Sequence, residues 1–533
     1  MMMDVDQDTP LECELKLSGS RAALRKAETA LNRIVGKRIE WQTDHLMTSY
    51  YDTIDRRLSK RGAALRVRKK GRTFTQTVKA KALKSAAISE RPEWNVELSS
   101  ARLDLSALPR QARTCIGLVL PNELCKLFTV DVERKKAVIE LARGDDTNPT
   151  SVEIALDRGS VKVGRKSTDM TELEIELISG DPVAIFDLAM QLADTGLSVN
   201  QVTKAETGYR LIDGDVNPVP VRLAKFQLDP TQSTNQAIAE IFSAGLANVL
   251  DNEAATRDGS DPEAVHQMRV SLRRMRSALS VFRRLIASER CQWARDELKW
   301  LASSLGPARD WDVFGMDILD PVDGFGVDAA AIDELRIGVE AQRKAAYVAV
   351  RETLESPRYT RFLIGMSQFT VTERWRPIVA SDSDPLEKPI KSVSDAILRR
   401  ALRRLMGVGK RLGKMSIEQR HDVRIELKKF RYATDFLHSL YPKNQVRPFM
   451  KSLSRMQDQF GHLNDVAIAK DLLAELTSEK GLSPTARRSR LYGAGQVVAW
   501  HARGVKDSEV DFLNDWTALK RARPFWANSD GGS

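Results

Sequence analysis

The sequence predicts a multidomain α+β protein, with a strand-rich first part and an all-helical second part. Three observations carry this. Short runs that alternate in residue type with period two fill residues 11–215. Helical periodicity takes over near residue 233 and lasts to about residue 520. Between them, residues 214–232 (GDVNPVPVRLAKFQLDPTQ) hold three prolines and read as a linker. A chain of 533 residues is too long for one core. Its 42% hydrophobic and 29% charged residues exclude a disordered protein. The expected divisions are a tail at 1–10, a strand domain at 11–213, the linker at 214–232, a helical domain at 233–522 and a tail at 523–533.

In order, the strands are expected in LECELKL, ALRVRKK, TFTQTVKA, EWNVEL, TVDVERKKAVIEL, SVEIALD and ELEIELI. Turn signals stand at Lys70-Gly71, Gly144-Asp145-Asp146 and Arg158-Gly159. Helices are expected at 19–36, with Ser20 as N-cap, and at 182–196 after Gly180-Asp181-Pro182. What alternates is unusual, because the second face of many strands is charged and carries both signs. Glu12, Glu14 and Lys16 share a face; so do Glu172, Glu174 and Glu176; so do Arg66 and Arg68. Arg91, Glu93 and Glu97 form another such set, as do Glu153 and Asp157, and Lys79 and Arg134 are placed similarly. One E-x-E alone is ordinarily a solvated strand face. If these faces converge inside a closed barrel, they make a polar lumen of acids and bases together. Paired carboxylates hold hard divalent cations such as Mg²⁺ or Mn²⁺. Arg and Lys clamp phosphoryl oxygens. Both together suit metal-assisted hydrolysis of a short polyphosphate.

The helical part contains one pattern twice. His266, Arg269, Arg273, Arg274 and Arg276 sit in AVHQMRVSLRRMRSAL; His421, Arg424, Lys428, Lys429 and Arg431 sit in QRHDVRIELKKFRYAT. Gly306 and Asp310 follow the first histidine at the same offsets at which Gly461 and Asp465 follow the second. On a helix, Arg269, Arg273 and Arg276 fall roughly −60°, −20° and −80° from His266, so the cations share one arc. Met268, Leu272, Met275 and Leu279 lie opposite, as Val423, Leu427 and Phe430 do in the second copy. Like charges at these spacings destabilise an isolated helix. Stacking them twice points to a polyanionic ligand. Asp310 and Asp465 either pair with the arginines structurally or belong to the site. Further cations follow at Arg399, Arg400, Arg403, Arg404, Lys410, Arg411 and Lys414.

The bulk numbers narrow the partners. The balance of 83 Lys+Arg against 72 Asp+Glu gives +11, so clustering matters more than the total. Cys13, Cys115, Cys125 and Cys291 show no metal-ligand spacing and fit reduced thiols. The start, MMMDVDQDTP, has no apolar signal region, and no run of 18 apolar residues would span a membrane. The expected location is the cytoplasm, with polyphosphate granules as a place of association. Nucleic acid is disfavoured: no named motif occurs, and aromatic residues make up only 6%.

Residues 11–213 resemble the CYTH domain of the triphosphate tunnel metalloenzymes. The resemblance rests on E-x-E-x-K at 12–16, YYDT at 50–53, LRVR at 65–68, QTVKA at 76–80, ALDRG at 155–159, ELEIELISGD at 172–181 and TKAETGY at 203–209. It implies an eight-stranded antiparallel β tunnel with flanking helices. It also implies that Glu12 and Glu14 are catalytic, binding metal and orienting the attacking water, and that Glu172, Glu174 and Glu176 complete an Mg²⁺ or Mn²⁺ site. Lys16, Arg66, Arg68, Lys79, Arg91, Arg134 and Lys204 would hold the triphosphate. Thr207 stands where an arginine is common, and Thr203 where serine is frequent.

Residues 231–520 are similar to the CHAD domain, an all-helical tandem repeat whose basic helices bind polyphosphate. The similarity rests on VHQMRVSLRRMRSAL with LGPARDWDV, and on RHDVRIELKKFRYA with FGHLNDVAIA. It carries polyphosphate binding to His266, Arg269, Arg273, Arg276, His421, Arg424, Lys428 and Arg431. The combination implies a cytoplasmic inorganic triphosphatase cleaving PPPi to PPi and Pi. The competing readings are another tunnel activity (thiamine triphosphatase, nucleoside triphosphatase or adenylate cyclase), a polyphosphate adaptor with an inert tunnel, and a nucleic-acid binder.

Overall fold

In the computed structural model the described residues are 11–80, 83–85, 88–141, 150–214, 217–322, 327–377, 384–507 and 509–527. The Gly144-Asp145-Asp146 turn signal lies outside them. The chain divides into two units. The first holds residues up to Pro218 together with Glu355–Thr372; the second holds Val219–Leu354 and the chain from Glu373 onward.

Ten antiparallel strands form the sheet of the first unit: β1 (Leu11–Ser18), β2 (Gln42–Asp52), β3 (Ala64–Lys70), β4 (Thr73–Lys79), β5 (Leu83–Ser85), β6 (Ile88–Leu98), β7 (Cys125–Leu141), β8 (Thr150–Val163), β9 (Lys166–Ser179) and β10 (Ser198–Val199). Eight of them run β1-β9-β8-β7-β2-β3-β4-β6, and β6 pairs back onto β1, closing a ring. The expected eight strands are those of the ring. β5 and β10 are short additions on β6 and β1.

Period-two alternation turns the charged face inward and the apolar face outward. Leu15, Leu17, Leu65, Val67, Val78, Leu173 and Ile175 are buried on the outer side. There, the helices Arg21–Val35 and Val183–Leu192 supply Leu24, Leu31, Ile185, Phe186 and Leu188 to the apolar layer. Ser20 caps the first of these helices by accepting from Ala23 N at 3.1 Å. The larger part of the core of this unit therefore lies around the ring, while one end of the lumen carries a second apolar cluster of Tyr50, Phe128, Val130, Val132 and Val161 and the rest stays polar.

Two sequence expectations change here. Arg158-Gly159 is not a turn but the middle of β8. A Cβ on Gly159 would sit 2.0 Å from the Asp131 carbonyl oxygen, so glycine serves a close approach of β7. The helix Pro357–Val371, which lies in the helical half of the sequence, belongs to the tunnel unit. It packs on Val183–Leu192, with Gln368 donating to Asp187 at 2.6 Å and Thr360 donating to the Leu197 carbonyl at 3.3 Å.

The second unit repeats one helix arrangement. Thr234–Asp251 packs on Pro262–Val281 as Ile390–Val408 packs on Ile417–Leu437. Pro262–Val281 and Ile417–Leu437 also pack on each other. Their apolar stripes are fully buried: Met268, Leu272, Met275 and Leu279 in one, Val423, Leu427 and Phe430 in the other. The proline-rich segment read as a linker is, from Val219 on, a packed strap. Val221 pairs with Asn248 and Asn252, and Phe226 is buried against the Phe436 ring. At the other end, Phe525 and Trp526 are buried among Phe430, Tyr441 and Phe449, so part of the expected tail belongs to the core. No helix among the described residues is long and apolar enough to cross a membrane.

Candidate active site and polyanion-binding helices

Inside the ring lies a cavity of about 950 Å³. Its lining includes Glu14, Lys16, Arg66, Arg68, Lys79, Arg91, Arg134, Glu174, Glu176 and Lys204 from the sequence reading. Glu172 reaches the same group of charges through Lys204. The side chain of Glu12 lies outside the described residues; its backbone pairs with Arg91 in the β1–β6 ladder. Among the described residues, the lining carries eleven Lys and Arg against seven Asp and Glu. Adding Asp157 and Glu172 leaves the cations in excess, which favours an anionic occupant.

Register explains how distant residues meet. Arg134 on β7 stands opposite Asp157 on β8, which stands opposite Glu172 on β9. Lys16 on β1 stands opposite Glu174. Arg134 donates to Asp157 at 2.7 and 2.6 Å and to Glu174 at 2.5 Å. Lys204 lies 2.7 Å from Glu174, 2.8 Å from Asp157 and 2.9 Å from Glu172. Lys16 is 3.4 Å from Glu174 and 3.6 Å from Glu14, and Arg91 holds Glu14 at 2.6 Å. On the far side, Glu93 takes Lys79 at 2.5 Å and Arg66 at 3.5 Å. Glu176 lines the cavity opposite Glu14 and Glu153, and Lys136 binds Glu153 at 2.7 Å.

These pairings set the protonation states. Burial works against the charge of Glu174, but Lys204, Arg134 and Lys16 outweigh it and hold the carboxyl well below the usual range. Burial likewise opposes the ammonium of Lys204, and Asp157, Glu172 and Glu174 hold it well above the usual lysine range. Arg68 is the exception. Among the described residues it makes no ion pair, and its Nε has no hydrogen-bond partner. The neighbouring Arg66, then burial and Arg134, bring it down to about 10.

Asp157, Glu172 and Glu174 are all buried, and each can offer an oxygen within 4.8 Å of the others. Three convergent carboxylates are the donor set a hard divalent cation takes. Asp157 thus joins the candidate metal cluster, for which the sequence expectation named glutamates alone. Its signals were the strand face it shares with Glu153 and its place beside Arg158-Gly159 in the ALDRG motif.

One end of the lumen is closed by the helix Lys204–Asp213, packed on Phe128, Val130, Val132 and Val161. Thr203 caps this helix through a capping box with Glu206, so the departure from serine keeps the capping chemistry. Gly208 lies flat on the Phe128 ring, where a Cβ would come within 2.3 Å. Tyr209 donates to Asp52 at 2.8 Å, and Arg56 binds Asp213 at 2.6 and 2.9 Å.

In the helical unit the cations of the two repeats converge. The Arg273 guanidinium lies over the ring of Tyr432, 5.8 Å from its centre. Burial, with Arg424 and Arg273 beside it, brings Lys428 down to about 8. Burial and Arg309 bring His266 down to about 4, so its imidazole is neutral in the free chain. Arg269 and Arg424 are also lowered, by burial first; Asp310 opposes the shift at Arg269, and Asp465 at Arg424. Asp310 is itself raised, by burial and by Asp465. Guanidinium nitrogens of Arg273, Arg274, Arg424 and Arg431 are buried without a hydrogen-bond partner, although Arg431 Nε binds Asp435 at 3.0 Å. Arg269 donates to the Ala302 carbonyl. Arg276 and His421 are exposed.

A closed strand ring with a charged lumen, joined to a doubled basic helix pair, defines the class. The family model for the CYTH domain matches residues 10–209, and that for the CHAD domain matches residues 240–474. The chain belongs to the proteins that join a CYTH domain to a CHAD domain. An uncharacterized protein of Mycobacterium tuberculosis is 25% identical over 464 residues, covering 83% of this chain and 86% of the relative. An inorganic triphosphatase of Haemophilus influenzae is 28% identical over 179 residues; these span 32% of this chain and 47%, about half, of that relative. The crystal structure of the CHAD domain from the plant Ricinus communis is 30% identical, with a TM-score of 0.49, covering 57% of this chain and 98% of that one.

Proposed function

We propose that the tunnel is a divalent-metal-dependent inorganic triphosphatase, hydrolysing PPPi to PPi and Pi, and that the helical unit binds inorganic polyphosphate. The observation that carries the first part is the lumen itself. Among the described residues, it joins the Asp157–Glu172–Glu174 cluster to an excess of cations, with Arg68 outside any ion pair. A bound divalent cation would neutralise phosphoryl oxygens and draw charge from the breaking P–O bond. Arg66, Arg68 and Lys79 would hold the phosphate chain by charge-assisted hydrogen bonds. Glu14, fixed by Arg91 and Lys16, would orient the attacking water. Catalysis of this kind is positioning and charge stabilisation.

The lining also favours an inorganic substrate over a nucleotide. Among the described residues, its only aromatic residues are Tyr50 and Tyr209. Tyr50 is buried and stacked on Phe128 at 4.7 Å, and the Tyr209 ring meets Phe128 edge-on at 5.4 Å with the Arg56 guanidinium 5.8 Å from its centre, which leaves little ring face for a base. The test is a steady-state comparison of PPPi, ATP and thiamine triphosphate with Mg²⁺ and with Mn²⁺. The highest kcat/KM belongs to PPPi; preference for either other substrate overturns the assignment. Glu174→Gln and Glu14→Gln each lower kcat on the order of 10²-fold or more, as removal of one preorganised electrostatic group does.

A further inference from the structure

Lys204 stands among the three acids read above as the divalent-cation ligands. Its ammonium makes a hydrogen bond to Glu174 Oε1 at 2.7 Å. Asp157 and Glu172 lie at 2.8 and 2.9 Å, but as ion-pair contacts only. Glu172 Oε2 is buried and has no hydrogen-bond partner. An ammonium has directional N–H donors, whereas a metal ion draws carboxylate oxygens from any direction. The lysine thus compensates the three acids by charge at all three contacts but by a directed hydrogen bond at only one.

The two cations exclude each other. A small divalent ion needs oxygens at about 2.0–2.6 Å. It would stand where the ammonium now stands, with like charges in contact. The lysine has somewhere to go. Its helix is fixed by Gly208 on Phe128, Tyr209 on Asp52 and Arg56 on Asp213. The backbone therefore stays in place while the long flexible side chain swings. Lys204, Tyr50, Arg66 and Arg68 line the same cavity, so the side chain can swing toward the phosphate-binding side within one lumen.

We propose that Lys204 is a tethered counter-ion, which holds the Asp157–Glu172–Glu174 cluster until a divalent cation displaces it toward Arg66 and Arg68, where it joins the phosphate clamp. Metal loading and completion of the clamp are then one event. The inference rests on the reading that these three acids hold the metal.

The test uses the full chain and Mn²⁺ alone, followed by titration calorimetry. Lys204→Met and Lys204→Gln remove the competing charge. Each is expected to bind Mn²⁺ about tenfold tighter or more than the natural chain, because the fraction of competent site rises. Each should also melt lower than the natural chain in EDTA and recover with Mn²⁺. KM for PPPi should move the opposite way, upward. Unchanged or weaker Mn²⁺ binding in variants that melt cooperatively in Mn²⁺ overturns the proposal. Asp157→Asn separates the two readings: if it leaves Mn²⁺ binding as in the natural chain, the metal site is elsewhere and both fail. If it weakens binding while the Lys204 variants do not tighten it, only the counter-ion idea fails. A measurement on the natural chain stands beside these. Reductive methylation of the Lys204 amine, followed by mass spectrometry, should be slow in EDTA and faster with Mn²⁺; equal rates overturn the proposal.

Discussion

The tunnel and the doubled basic helices both concentrate cations, but they treat them differently. In the tunnel, Arg134, Lys204, Lys16, Arg91 and Lys79 each lie within 3.6 Å of a carboxylate, whereas Arg68 has no ion pair among the described residues. In the helical unit, buried guanidinium nitrogens go without partners, and neighbouring cations depress one another. A site that performs chemistry must hold its charges in fixed geometry before the substrate arrives, which needs acids among the bases. A site that only binds can leave the compensation to its ligand. The difference teaches that a cation's partners, more than its presence, distinguish a lumen of fixed charges from a helix face whose charges await compensation.

That contrast can be broken most sharply in the helical unit. Combining Arg269→Ala, Arg273→Ala, Arg424→Ala and Lys428→Ala should abolish binding of long polyphosphate, a loss beyond roughly 10³-fold if each contact contributes about 1.5 kcal/mol or more. Either repeat's pair alone should only weaken it, and PPPi hydrolysis should persist throughout. Titration of labelled polyphosphate of graded lengths at two salt concentrations checks this, with affinity rising with length and falling with salt. Full binding by the quadruple variant would refute the common site.

Within the tunnel, Arg134→Ala and Arg68→Ala should part company. Loss of Arg134 leaves Asp157 and Glu174 short of a buried partner and costs on the order of 3–5 kcal/mol of stability. Loss of Arg68 removes no existing ion pair, so the melting temperature should hold. Its kcat/KM for PPPi should still fall roughly 10- to 100-fold, the value of about 1.5–3 kcal/mol for a charge-assisted clamp. Melting curves beside kinetics distinguish the two. An Arg68 variant with full activity would place that side chain outside the phosphate path.

The smallest effect concerns pH. Lys428 titrates near 8 in the folded chain, below its ordinary 10.5. The unfolded chain then binds the proton more readily between these values, so stability of the free protein rises with pH across about 8 to 10.5. Polyphosphate binding has the opposite sign, because it needs the ammonium charged, and affinity should drop a few-fold as pH rises through about 8. Lys428→Arg should flatten that dependence. A pH-independent affinity in the natural chain would show that Lys428 does not meet the anion.

Much of this was legible in the sequence, and the residues tell why. Glu14, Lys16, Arg66 and Glu174 declared themselves because strand alternation puts them on one face, and a doubled pattern marked the basic helices. β2 was harder to see, because its inward and buried positions are Leu46, Thr48, Tyr50 and Asp52, a mixture with no apolar rhythm. Asp157 gave only a weak signal, since its role depends on register across β7, β8 and β9. The strap at Phe226 read as a linker because prolines mark irregular backbone without saying whether it packs. The location of Pro357–Val371 could not be read either, since an amphipathic helix does not name its partner.

That last helix bears on how the protein is made. The tunnel unit draws its chain from two stretches, with Val219–Leu354 of the helical unit synthesised in between. During translation the strand ring can close once β9 and β10 have emerged. The outer surface of Val183–Leu192 must wait for Pro357–Val371, more than 160 residues later. At about 5–20 residues per second this leaves an interval on the order of ten seconds or more with apolar surface uncovered. The nascent chain therefore has a built-in need for protection at that surface, and a ribosome stalled near residue 350 would hold the chain at its most aggregation-prone.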